Sequence, residues 1–234
     1  MAAADPRLIV ALDLPSRADA EAMVERLGAA VSFYKIGLQL LAVGGMEMAR
    51  DLKARGRQVF LDWKLHDIGA TVEKAAAAIA GAGAGDLLTV HAEPQVLAAA
   101  VRGVEGSGLR VLGVTVLTSL SGQDLGQIGY ALGVEALVER RIRQALDAGA
   151  HGVVASPHEA ALARRLGGPD FLVVTPGVRP AGAALDDQAR AASPADALAA
   201  GASHLVVGRP VTAARDPHAA ALAVAEEMRG LQPA

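Results

Sequence analysis

Eight short apolar runs recur along the chain, and between them apolar and polar residues mix as they do on helices. The runs are LIVALD (8–13), FYKIG (33–37), QVFLDWK (58–64), LLTVHA (87–92), RVLGVTVLT (110–118), GVVAS (152–156), FLVVTPG (171–177) and HLVVGR (204–209). Each is nearly continuous in its hydrophobicity, the pattern of strands covered on both faces. Helices are predicted over 16–28, 40–55, 68–84, 94–106, 134–149, 157–166, 193–200 and 212–229. Ser16 with Asp19 is a loose capping box at the first of them. Pro94 and Pro157 sit near helix starts, and Gly28, Gly56, Gly149 and Gly201 near helix ends, where each residue type is favoured. Strict alternation of eight strands with eight helices predicts a (β/α)8 TIM barrel, with residues 1–234 as one domain. An open doubly wound sheet is the second choice, and no Gly-x-Gly-x-x-Gly follows the first strand to support it.

A barrel of this kind carries its chemistry at the C-terminal ends of its strands. The polar residues that fall there are Asp13, Lys35, Asp62, Lys64, His91, Thr118, Ser119, Ser156, Thr175, Arg179 and Arg209. The third strand sharpens the choice. Side chains alternate along a strand, so Val59, Leu61 and Trp63 share one face and Phe60, Asp62 and Lys64 the other. If the second set faces the barrel axis, a carboxylate and an ammonium lie where an unpaired charge would be costly. They must pair, and Asp13 and Lys35 lie at neighbouring strand ends. Such pairing rarely adds net stability, so four charges at the rim point to chemistry rather than scaffolding.

The end of the eighth run adds a second element. Gly208 lets backbone approach a ligand closely, and Arg209 offers a planar fork to an anion, at a place where barrels often hold phosphate. The long segment 178–194 suits a mobile lid, and the glycine-rich segment 121–133 is either a plain connection or a second flap. His66 is open to a role as a general base or to local hydrogen bonding, and His91, inward by parity with Thr89, reads as a core histidine. His151, His158, His204 and His218 read as structural.

Composition narrows the class. Hydrophobic residues make up 52% and charged residues 20%, enough for a sizeable core, and the net charge of −3 with no basic cluster argues against a nucleic-acid partner. The absence of cysteine excludes disulfides, thiolate catalysis and cysteine-based zinc sites. No His or carboxylate spacing suggests a metal site. The start, MAAADPRLIVALD, lacks a basic, then apolar leader, and the segment 75–85 is too short to span a bilayer. A cytoplasmic protein with no membrane partner is expected.

The segment DWKLHDIGATV (62–72) resembles the D-x-K-x-x-D-I signature of the orotidine 5′-phosphate decarboxylase family. IVALD (9–13), YKIGLQL (34–40), VLTS (116–119), PGVRP (176–180), DDQAR (186–190) and VVGRP (206–210) resemble its other blocks, in order along the whole chain. The resemblance implies a carbon–carbon lyase that converts orotidine 5′-phosphate to UMP and carbon dioxide, the last step of UMP synthesis. It implies a homodimer with neither metal nor organic cofactor. Asp62, Lys64, Lys35 and Asp67 would form the catalytic array, with Lys64 as proton donor to C6. Asp13 and Lys35 would hold the ribose, and Thr118 and Ser119 the pyrimidine. Arg179, Gln188, Gly208 and Arg209 would hold the phosphate and its lid. Asp67 and Thr71 would reach into the partner's site. Two departures stand out: Gly69-Ala70 replaces the family's usual Pro-Asn, and Glu93-Pro94 follows His91 where small residues and glycines are usual.

Three alternatives remain at this stage. One is a magnesium-dependent sugar-phosphate decarboxylase or aldolase of the same superfamily, which shares D-x-K-x-x-D. Another is a Schiff-base aldolase, although carboxylates beside Lys64 favour the ammonium over the free amine such an enzyme needs. The last is a non-catalytic nucleotide-binding barrel.

Overall fold

The eight apolar runs close on themselves. In the computed structural model, which describes residues 4–180 and 192–230, all eight strands are parallel and hydrogen-bonded in chain order, with the first paired to the last. The order of elements is β1 (Leu8–Ala11), α1 (Arg17–Leu27), β2 (Phe33–Gly37), α2 (Leu38–Leu41), α3 (Gly45–Ala54), β3 (Gln58–Leu65), α4 (Gly69–Gly81), β4 (Leu87–His91) and α5 (Pro94–Gly103). It continues through β5 (Arg110–Val114), α6 (Gly122–Ile128), α7 (Val134–Asp147), β6 (Gly152–Val154), α8 (Ala160–Gly167), β7 (Leu172–Thr175), α9 (Pro194–Ala199), β8 (His204–Val207), α10 (Arg209–Thr212) and α11 (Pro217–Arg229). This is the (β/α)8 TIM barrel that the alternation predicts.

Strand alternation sorts the core into two layers. Ile9, Ala11, Phe33, Phe60, Leu87, Leu112, Val174 and Val206 fill the barrel interior. Val10, Tyr34, Val59, Leu61, Trp63, Leu88 and Val90 point outward and pack under the helices. The inward series of a strand then changes character along its length. Phe33 is followed by Lys35, Phe60 by Asp62, and Leu87 by Thr89. The interior is therefore apolar at its N-terminal end and charged at its C-terminal end.

Several elements are shorter than their apolar runs suggest, for local reasons. β5 stops at Val114 rather than running to 118; the last bonds to the neighbouring strand come from the amide and the hydroxyl of Thr115, both to the Val154 carbonyl, at 3.2 and 2.8 Å. The predicted helix 40–55 breaks into α2 and α3 at Gly44, whose φ of 98° is left-handed. The predicted helix 212–229 begins only at Pro217, behind the cap that Asp216 gives to the Ala219 amide at 3.0 Å. Within the expected flap 121–133 there is a helix, α6. Ser121 and Asp124 form a full capping box, and Gly129, with φ 100°, ends the helix. The expected lid 178–194 lies mostly outside the described residues. Only its ends appear, joined by the bridge of Val178 to Ala192.

Candidate active site

A cavity of about 460 Å³ opens at the C-terminal end of the barrel. Its lining includes Asp13, Lys35, Asp62, Lys64, Thr118, Ser119, Arg179, Gly208 and Arg209, nine of the expected site residues. Phe60, Val114, Val154 and Val206 make its apolar floor and walls.

Charges of alternating sign cross the cavity. Lys35 Nζ lies 2.9 Å from Asp13 Oδ1 and 3.5 Å from Asp62 Oδ2. Lys64 Nζ lies 2.8 Å from Asp62 Oδ1. Thr89, inward on β4, donates its hydroxyl to the same Asp62 oxygen at 3.0 Å. Burial pushes the Asp62 carboxyl up, but Lys35 and Lys64, with the hydrogen bonds from Lys64 and Thr89, outweigh it and hold the group below its usual value. Asp62 is therefore an anion clamped between two ammonium groups.

The route by which Lys64 enters the cavity is less regular than simple alternation. The β3–β4 register shifts between Leu61 and Leu65, and Lys64 adopts φ 49°. It is the one non-glycine residue with positive φ among the described residues. Its amide leaves the ladder and donates to Thr89 Oγ1 at 3.0 Å. Thr89 thus serves the backbone of one charged residue and the carboxylate of the other. A left-handed lysine is strained, and such strain persists where surrounding contacts over-determine it.

Gly37 clears space for the same array. A Cβ there would sit 2.5 Å from Asp13 Oδ1 and 3.0 Å from Lys35 Nζ. Neither Gly37 nor Thr89 stood out in the sequence. Thr89 served there only to place His91 inward by parity, and the glycine's role exists only once β1 and β2 are side by side.

The remaining expected residues are placed differently. Asp67 and Thr71 are exposed and do not line the cavity of this chain. Asp67 accepts from the Ile68 amide at 2.6 Å. Gln188 lies outside the described residues. His66 is exposed and its ring lies 4.8 Å from that of His91; neither lines the cavity. Burial lowers the proton affinity of His91. At the opposite end of the barrel, His151 accepts from the Val111 amide at 3.1 Å, while His218 Nδ1 pairs with the Leu27 carbonyl at 2.9 Å. Among the described residues no group of three or more His, Asp or Glu could hold a metal ion, and no helix is long and apolar enough to cross a membrane.

Fold and rim together define a TIM-barrel enzyme whose cavity sets a lysine–carboxylate array against two arginines. The comparisons make this specific. Residues 6–224 match the orotidine 5′-phosphate decarboxylase / HUMPS family, and the chain belongs to that family. It is 68% identical over 228 residues to an orotidine 5′-phosphate decarboxylase of Caulobacter sp. (strain K31), covering 97% of this chain and 99% of that one. It is 55% identical over 227 residues to the enzyme of that name from Methylobacterium radiotolerans, covering 96% and 98%. The crystal structure of orotidine 5′-phosphate decarboxylase from Lactobacillus acidophilus superposes with a TM-score of 0.84 at 36% identity, over 96% of this chain and 99% of that one.

Proposed function

We propose that this chain decarboxylates orotidine 5′-phosphate to UMP and carbon dioxide, in pyrimidine biosynthesis, with Lys64 as the proton donor to C6. The observation that carries the reading is the Lys35–Asp62–Lys64 array at the base of a cavity that Arg179 and Arg209 also line. In the reaction the bond from C6 to the carboxylate breaks, and the electron pair stays on C6 in the ring plane. Ring resonance cannot readily take up that pair, so nearby charge must stabilise it. The Lys64 ammonium does this and then transfers a proton to C6, leaving an amine that solvent reprotonates. Asp62 sits beside the substrate carboxylate, and their repulsion is relieved as carbon dioxide departs.

The other groups bind and orient. Asp13 and Lys35 hold the ribose, and Thr118 and Ser119 the pyrimidine. Arg179, Gln188, Gly208 and Arg209 hold the phosphate, so that binding energy far from C6 serves the chemistry. Asp67 and Thr71 act in the site of a second copy. Their exposure supports this, as does the exposure of Ile68 at 70% and of Leu38, Leu41 and Val43 after the neighbouring strand. The reading needs neither a metal nor an organic cofactor, since both lysines already engage the cavity's carboxylates. The decay of orotidylate absorbance with purified protein tests it. Steady decay supports the reading, and no decay refutes it.

A further inference from the structure

The cavity wall from Val116 to Ser119 is not a strand, so something else must hold it in place. Val116 packs into the core, and a second hold comes from Arg141, in the middle of α7, with a side chain only 11% exposed. Its guanidinium donates to the Thr115 carbonyl, where the wall begins, and to the Tyr130 hydroxyl at 2.7 Å, just beyond α6. It also lies 5.3 Å from the centre of the Tyr130 ring. Its third partner is Glu93 Oε1 at 3.4 Å, in the loop after β4. The second oxygen of Glu93 faces His66 Nε2 at 3.7 Å, two residues beyond Lys64. One guanidinium thus grips both ends of the segment 115–130, which carries the flap, and Glu93 ties it to the loop that follows β4.

We propose that Arg141, Glu93 and Tyr130 form a clasp that positions the β5 flap over the pyrimidine end of the cavity, with Arg141 as its positioning residue. This rests on the reading that Thr118 and Ser119 contact the pyrimidine. The chemistry suits the task. Arg141 offers several donors in one plane, so it can hold a carbonyl, a hydroxyl and a carboxylate at once, which a lysine cannot do in the same geometry. The flap is anchored in the core at Val116 and Leu125, while Leu117 at 39% and Ile128 at 58% are exposed near its two ends, where the clasp acts. Glu93 is one of the two departures from the family's usual pattern, and its side chain has a definite use here. A flap held in register lowers the ordering cost of binding, so loss of the clasp weakens ground-state binding more than it slows chemistry.

Four variants test this through the split between KM and kcat for orotidylate. Tyr130→Phe keeps the ring and removes the hydroxyl that reaches Arg141. It is expected to raise KM about fivefold, the scale of one ordinary net hydrogen bond, with kcat and thermal midpoint little changed. Arg141→Met is expected to raise KM further, and the double variant to show no more loss than Arg141→Met alone, because the two act as one unit. An unchanged KM for Tyr130→Phe, or full additivity in the double variant, overturns the proposal. Ser119→Ala separates the two ways of failing. If it raises KM while Tyr130→Phe does not, the flap contacts the substrate and only the clasp is wrong. If neither raises KM, the assignment of the pyrimidine to the flap fails with it.

Discussion

At the C-terminal rim, Lys35 and Lys64 flank Asp62 at 3.5 and 2.8 Å and hold its carboxyl below its usual value. At the N-terminal end, His204 gives its charge up. It packs edge-on to Phe33 at 5.8 Å, and burial, aided by Arg110 and Arg7, pushes its pKa down to about 4. Both ends enclose titratable groups in one barrel, yet the rim array faces the cavity while His204 is neutralised within the packing. Pairing leaves formal charge pointing into an open cavity, where a substrate can meet it. Neutralisation leaves a polar ring that can be packed like any other core residue. The N-terminal end also holds the Asp5–Arg7 pair at 2.8 Å, but only the rim array faces the cavity. Since paired buried charges bring little net stability, that array is explained by what it does to a ligand.

The comparison is broken most forcefully at Lys64. Lys64→Ala is expected to lower kcat by at least about 10³-fold, because it removes both the electrostatic stabilisation and the proton source, while UMP binding remains measurable. Near-normal turnover in a steady-state assay would place the chemistry elsewhere. Arg209→Ala is next. Loss of a charge-assisted fork to phosphate is expected to reduce kcat/KM about 30- to 100-fold, and an unchanged value would remove Arg209 from the phosphate site.

The smallest expected effect lies at the other end of the barrel. A histidine with a lowered folded pKa contributes stability above its unfolded pKa and loses it as pH falls toward the folded value. For His204 that window runs from the ordinary histidine value of 6.5 down to about 4. Between pH 7 and pH 5 the protein should lose about 2 kcal/mol from this group. His204→Gln should lose that much less over the same interval in urea titrations, and equal losses would show that His204 is not the group responsible.

Much of this was legible in the sequence, and the rest fails for identifiable reasons. The barrel follows from runs such as Val59–Leu61, because strands buried on both faces admit few polar residues and announce themselves. Parity along β3 placed Asp62 beside Phe60 on the inner face. It also placed Lys64 there, although the chain reaches that position through a register shift and a left-handed residue that alternation cannot describe. The helix α6 was missed despite its Ser121-x-x-Asp124 box and Gly129, since glycine-rich composition argued for a loop. The clasp was not legible at all. Glu93 and Arg141 lie 48 residues apart, and only the packing of neighbouring barrel units brings them together. The same is true of Gly37, whose missing side chain matters because Asp13 and Lys35 occupy its place.

The central claim is that a lysine–carboxylate array, without a metal, decarboxylates orotidylate. Purified protein dialysed against EDTA, with no metal added, should consume orotidylate as fast as undialysed protein, followed by the fall in its absorbance. Activity that disappears on dialysis and returns with magnesium, or no consumption of orotidylate under either condition, would contradict the account.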